Sequence, residues 1–201
     1  MDKNHIVYSL CKISIVCTLF VSVSSAYSAS GLAYGSEAQG GKIACLRADG
    51  GIDDLVVATK DSSEGITWGG EGSAVGPAAQ SDTDGMGNTK AIIAKLGTST
   101  KYAALLCREY EVDSLGNTPC LKDLTCYNDW FLPSRYQLDC VHAHKKEIGG
   151  FADDFYWSSS EFAGYPAYSA WDKFFGESEQ EIAGVDDDER VRCVRVFNPP
   201  G

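Results

Sequence analysis

Hydrophobic and polar positions along the chain change their period twice. Residues 42–47, Lys-Ile-Ala-Cys-Leu-Arg, alternate toward one apolar face, turn at Asp49-Gly-Gly51, and continue as the β-branched run Leu55-Val-Val-Ala-Thr59. Ile66-Thr-Trp68 reads as a third short strand. Residues 69–87 are largely Gly, Ala, Ser and Asp and predict a long surface loop, whose glycines lack the every-third spacing of collagen. The period then becomes helical. Asn88-Thr89 offers a cap to a helix with Ile92, Ile93 and Leu96 on one side and Gly97 at its end. A second helix follows from about Thr100, with Tyr102, Leu105 and Leu106 as its buried positions and Cys107 beside them. Beyond a polar loop over residues 113–128, Ser134 and Gln137 make a capping-box pattern. The third helix that they open carries Leu138, Val141 and Ile148 at helical spacing and stops at Gly149-Gly150. The last third returns to strands over residues 155–159, 169–175 and 190–197, rich in aromatic and β-branched residues. The order strands, helices, strands predicts an α+β fold in which the last strand pairs with the first elements and brings the termini together.

The amino terminus stands apart from this plan. Lys3 and Lys12 precede an apolar run over residues 13–23, and the small residues Ser24-Ser-Ala-Tyr-Ser-Ala29 follow. That layout predicts a secretory signal peptide over residues 1–26, with cleavage after Ala26 favoured over cleavage after Ser28, residues 27–39 as a short linker, 40–197 as the domain and 198–201 as a tail. The apolar core is nearer a dozen residues than the ~20 of a spanning helix, so no stable membrane insertion is expected after cleavage. The mature chain is expected to be secreted or periplasmic.

Charge narrows the partners. The chain has 17 basic against 28 acidic residues, a formal net charge of −11, and removal of residues 1–26 leaves −12. Nucleic acid is therefore excluded as a natural partner. Of eight cysteines, removal of Cys11 and Cys17 leaves Cys45, Cys107, Cys120, Cys126, Cys140 and Cys193. An even number in an oxidising compartment predicts three disulfides, with fifteen pairings open in principle. Catalytic signals are thin. His142 and His144 stand two apart on a predicted helix and face different ways, and neither a G-x-S-x-G elbow nor a phosphate loop is present. The chain is expected to be non-enzymatic, with no cofactor.

The strings Asp129-Trp-Phe-Leu-Pro-Ser134, Ile148-Gly-Gly-Phe151, Tyr156-Trp-Ser-Ser-Ser-Glu161, Ala170-Trp171 and Val191-Arg-Cys-Val-Arg195 occur in that order. Together they resemble the carboxyl-terminal domain family of the Legionella collagen-like adhesin. The opening Gly40-Gly-Lys-Ile and Gly65-Ile-Thr-Trp68 is similar to the same wider family of exported bacterial proteins, so the resemblance covers nearly all of residues 40–197. It implies a C-type lectin-like fold, with two to three helices against a twisted antiparallel sheet and long irregular loops. In that fold a disulfide commonly ties a helix to the final strand, which implies a Cys107–Cys193 bridge. The pairing among Cys45, Cys120, Cys126 and Cys140 stays open, with proximity favouring Cys120 with Cys126.

The resemblance further implies adhesion through a surface glycan or a cell-surface protein, since the adhesin binds sulfated polysaccharides. The chain departs from it in lacking collagen-like repeats and in an acidic balance that opposes polyanions. Lys145-Lys146 and Arg190/Arg192 are the local basic patches, each of which also fits a solvated face or ion pairs. Trp130, Trp157 and Trp171 read as core aromatics. Glu161, Tyr165 and Tyr168 are the ligand-binding candidates, on a Gly- and Pro-containing loop in the region where lectin-like folds carry variable loops. An aromatic face stacks on a sugar ring while its hydroxyl forms hydrogen bonds. Asp82, Asp84 and Asn88 are weak calcium candidates, as is the run Asp186-Asp-Asp-Glu189, but the loops lack full EF-hand spacing and the chain lacks the Glu-Pro-Asn or Gln-Pro-Asp triplet of calcium-dependent lectins. The alternatives are an envelope structural or assembly module with a protein partner and, further off, a catalyst like the formylglycine-generating enzymes.

Overall fold

The computed structural model describes residues 32–176 and 179–198. The expected signal peptide and its cleavage site lie outside the described residues. In chain order the elements are β1 (Glu37–Ala38), β2 (Gly41–Cys45), β3 (Leu55–Val57), β4 (Ser63–Ile66), α1 (Gly85–Leu96), α2 (Ala103–Glu109), β5 (Val112–Asp113) and β6 (Cys126–Tyr127). They continue with α3 (Arg135–Ala143), α4 (Lys145–Ile148), β7 (Phe155–Glu161), β8 (Ser169–Phe174), β9 (Gln180–Gly184), β10 (Glu189–Val191) and β11 (Val194–Val196). The fold is α+β. One antiparallel sheet has the order β1-β2-β3-β11, a second has the order β4-β10-β7-β8-β9, and β5 with β6 forms a small ribbon. Every pairing is antiparallel except β10 with β7.

The last strand does return to the first elements, with Val194 opposite Val57 and Val196 opposite Leu55. Yet residues 190–197, which read as one strand, are two, and they belong to different sheets. The chain changes sheets at Arg192 and Cys193, both buried. Arg192 Nε donates to Asp61 Oδ1 at 2.8 Å, its Nη1 donates to Gly149 O at 3.0 Å, its Nη2 donates to Gly150 O, and its guanidinium lies 4.0 Å from the Phe151 ring centre. Asp61 also accepts from Tyr156 Oη at 2.9 Å and Arg190 Nη1 at 3.1 Å. Burial pushes the Arg192 guanidinium down, opposed by the charge of Asp61.

Among the described residues three disulfides are present: Cys107–Cys193, Cys120–Cys126 and Cys45–Cys140. The first joins α2 to the crossover between the sheets across 86 positions, a closure of roughly 4–5 kcal/mol in a chain-entropy treatment. The third joins the end of β2 to α3.

Several boundaries differ from the sequence reading. Residues 32–39, expected as linker, belong to the fold: Leu32, Tyr34 and Ala38 pack on the core, and the Tyr34 ring stacks on His144 at 3.6 Å. Helix α1 starts at Gly85, because Asp84 rather than Asn88 is the cap and accepts from Gly87 N at 2.7 Å. Asn88 and Thr89 are buried inside the helix, where Thr89 Oγ1 accepts from Leu132 N at 3.1 Å. Residues 77–79 form a 3-10 turn within the expected loop, and the third strand lies at Ser63–Ile66, short of Trp68. Helix α3 opens as expected, with Gln137 Oε1 accepting from Ser134 N at 2.9 Å, but it breaks at His144 before α4. The short or polar strands β1, β5, β6 and β9 carry no readable period.

The polar loop over residues 113–125 is organised around one carboxylate. Asp113 accepts from the backbone N–H of Leu115, Asn117 and Leu121 and from the Asn117 amide, at 2.9–3.1 Å. Burial alone would raise this carboxyl, but the hydrogen bonds hold it down at about 2. No helix among the described residues is long and apolar enough to cross a membrane.

Two outcomes follow from these polar centres. Asp61→Asn leaves the buried Arg192 guanidinium without its counter-charge and is expected to cost about 3–5 kcal/mol in denaturant unfolding, part of which Asp61→Asn with Arg192→Met restores. Because Asp113 is more acidic folded than unfolded, its contribution is full above pH ~4 and lost as the pH falls through about 2. Asp113→Asn should therefore flatten the decline of the thermal midpoint across that window.

Candidate functional site

The end of β7 and the start of β8 are joined by the loop over residues 162–168. The loop is tied by its own backbone: Tyr165 N donates to Phe162 O, Tyr168 N and Ser169 N donate to Tyr165 O, and Phe162 N donates to Ser169 O, at 2.9–3.1 Å. Two further bonds hold it to its neighbours, from Gly72 N to Ala167 O at 2.8 Å and from Val185 N to Tyr168 O at 3.0 Å. On this base Tyr165 and Tyr168 remain 58% and 42% exposed, their rings stacked at 4.9 Å and 25°. Both sequence candidates are thus surface aromatics on a braced turn.

A second aromatic group lies along β8. Phe162 meets Trp171 edge-on at 5.4 Å, and the Arg135 guanidinium lies 3.9 Å from a Trp171 ring centre and 5.5 Å from that of the exposed Tyr136. Ile182 stands opposite Trp171 in the β8–β9 register and is also exposed. Trp171 is therefore not a core residue. Trp130 and Trp157 are buried as expected, but Trp171 is half-buried, on the face of β8 against which Arg135 of α3 packs. An alternating strand pattern shows that two faces exist without showing which one is covered. Arg135, Tyr136, Phe162 and Ile182 escaped the sequence reading for the same reason.

Glu161 has a different place from the one expected. It is only 2% exposed, and its carboxylate accepts from Val75 N at 2.6 Å, Gly76 N at 2.7 Å and Gln80 Nε2 at 3.1 Å. It anchors the glycine-rich loop against the end of β7 and is closed to a ligand. The three calcium candidates are likewise engaged by the protein. Asp82 pairs with Arg135 at 3.7 Å, Asp84 caps α1, and Asn88 is buried against Ser81, Ser159 and Ser160.

The basic patches do not assemble. Lys145 Nζ donates to the carbonyls of Phe175 and Gly176, Lys173 pairs with Asp139 at 2.7 Å, and Arg190 and Arg192 are held by Asp61. An open cleft of about 710 Å³ beside α3 and α4 mixes Asp139 and Glu147 with Lys145, Lys146 and Lys173 and has no single sign of charge. Among the described residues the metal-ligand types converge within 4.8 Å at Glu111, Cys120 and Cys126, where the two sulfurs are bonded to each other.

No protein-family model matches the chain, and no curated protein matches it.

The anchoring role of Glu161 has a local signature. Glu161→Gln weakens charge-assisted hydrogen bonds of about 1.5–3 kcal/mol each. Amide exchange at Val75 and Gly76 should accelerate about tenfold or more, while amides in the β2–β3 pair keep their rates.

Proposed function

We infer that the chain is an exported, non-catalytic, C-type lectin-like module that binds a surface glycan through the aromatic belt from Tyr165 and Tyr168 to Trp171. The observation that carries this reading is the exposed tyrosine pair, stacked and held on a turn whose backbone is bonded to two neighbouring loops. Ordering a platform before the ligand arrives lowers the entropy cost of binding. Tyrosine suits a sugar because its face covers the apolar side of the ring while its hydroxyl meets the polar edge. The chain's charge favours neutral sugars over sulfated ones, and the Arg135 guanidinium stacks on Trp171. The lectin-like assignment draws support from the α2-to-crossover disulfide and from β11 returning to the opening strands.

A protein-binding envelope module is the second reading. It is favoured by Leu115 and Leu121, both strongly exposed on the loop organised by Asp113 and braced by Cys120–Cys126.

A glycan array probed with the oxidised chain separates the two. Saturable binding to a defined set of neutral glycans is expected, and Tyr165→Ala with Tyr168→Ala should lower that affinity by tenfold or more at an unchanged circular dichroism spectrum. A silent array from a folded sample, or binding indifferent to the double substitution, refutes the glycan reading.

A further inference from the structure

The tyrosine turn is tied to the corner between β9 and β10. Val185, 1% exposed, donates its N–H to Tyr168 O at 3.0 Å and accepts from Gly69 N at 3.0 Å. It lies just past the edge strand β9, inside a turn closed by Gly184 N to Asp187 Oδ2 and by Asp187 N to Gly184 O, both 2.9 Å. The strands that this corner joins carry carboxyls without a counter-charge. Asp172 of β8 stands opposite Glu181 of β9, is 3% exposed, and has an Oδ1 with no hydrogen-bond partner. Glu189 of β10 is half-buried. The charges acting on these two carboxyls, besides each other, are Glu181 from β9, Asp187 and Asp188 from the turn, and Asp154 just before β7. β7 sets the uncharged Trp157 opposite Asp172, and β4 sets Ile66 opposite Glu189, with its own Glu64 exposed. Lys173 is committed to Asp139, and Arg190 to Asp61 and Asp154. Among the described residues no Lys or Arg pairs with Asp172, Glu181, Asp187 or Glu189. Nor do these carboxylates converge as metal ligands would, since a meeting of three within 4.8 Å occurs among the described residues only at Glu111, Cys120 and Cys126.

We propose that Asp172 and Glu189 form a proton-operated latch on the tyrosine turn: protonated, they let β9 and its turn close on β8 and β10; ionised, they repel Glu181 and Asp187 and loosen the tie from Val185 to Tyr168. A buried carboxylate oxygen without a donor is costly when charged, and a like charge directly across a strand pair adds to that cost. Protonation removes both effects at once. Burial, then Glu181 and Asp187, raises the Asp172 carboxyl to about 6, and burial, then Asp172, Asp154, Asp187 and Asp188, raises Glu189 to about 7. Both carboxyls are thus less acidic folded than unfolded. Their contribution to stability is full below pH ~4 and is lost as the pH rises through about 6 and about 7. The repulsion is relieved at β9, the edge strand with Glu181 and Ile182 exposed, rather than at Asp172 inside the sheet. Val185 follows β9 directly and moves with it. The consequence for a ligand, tighter binding in mild acid, rests on the glycan reading; the latch itself does not.

The test is the protection of the Val185 amide against hydrogen exchange in the oxidised chain at pH ~5 and pH ~8 and constant ionic strength, each rate divided by that of an unstructured peptide at the same pH. Protection should fall about tenfold or more between the two, while amides in the β2–β3 pair keep theirs. Asp172→Asn with Glu189→Gln mimics the protonated pair and should hold Val185 at its acid-side protection throughout. Glu181→Gln, at an exposed position that leaves folding intact, should reduce the loss on the alkaline side. Equal protection of Val185 at the two pH values overturns the latch, as does a pH dependence that the double substitution leaves unchanged. A glycan bound on the array should be held more tightly on the acid side. A silent array with a pH-dependent Val185 refutes the glycan reading and leaves the latch standing; glycan binding with a pH-independent Val185 does the reverse.

Discussion

The structure depends on a charge that must be buried. Where the chain passes from one sheet to the other, Arg192 turns inward, and a guanidinium in that position is tolerable only if its donors are met. Asp61 meets one side of it and the carbonyls of Gly149 and Gly150 meet the other. Three segments distant in sequence are thereby brought to one point: the connection before β4, the crossover between β10 and β11, and the turn that ends α4. Arg190 and Tyr156 close the same network from β10 and β7. The adjacent Cys193 adds a covalent tie to α2, so the crossover is fixed by both charge and sulfur.

This rigid centre explains how an extended loop surface is possible at the far end of the second sheet. β7 enters the sheet beside the Asp61 network and leaves it at Glu161, whose carboxylate gathers the backbone of residues 75 and 76. The next residues form the tyrosine turn. A loop with little apolar burial of its own is thus held by backbone and carboxylate bonds at both margins, which leaves its aromatic side chains at the surface rather than in a core. Trp171 and the Arg135 guanidinium over it lie on one face of β8, and the carboxylate of Asp172 lies on the other. One strand thereby carries two chemically opposite surfaces, an outcome of its alternation.

Parts of this were legible in the sequence because local physics was enough. The hydrophobic period marked β2, β3, the three helical regions and the aromatic strands, and Gly97 and Gly149 stopped helices where no tertiary contact was needed to explain them. The positions of Tyr165 and Tyr168 among Gly and Pro likewise marked an exposed turn. The anchoring place of Glu161 is not legible in the sequence, because a carboxylate at a strand end looks the same whether it faces water or a neighbouring loop's N–H groups. Asp84 and Asn88 are both competent caps, and the choice between them was made by Ser81, Ser159 and Ser160 closing on Asn88.

The sequence by itself determined an acidic α+β domain with six cysteines after its amino-terminal apolar run, the order of its elements, and an aromatic loop after the first long strand of its last third. Tertiary structure alone decided that residues 190–197 divide between two sheets, that Cys45 reaches Cys140, that Trp171 faces outward, and that Asp172 is buried among like charges. The reason is common to all four. Periodicity and caps are set by interactions within a few residues, whereas sheet partners, covered faces and counter-charges are supplied by segments tens of residues away, and a single strand pattern is compatible with either choice.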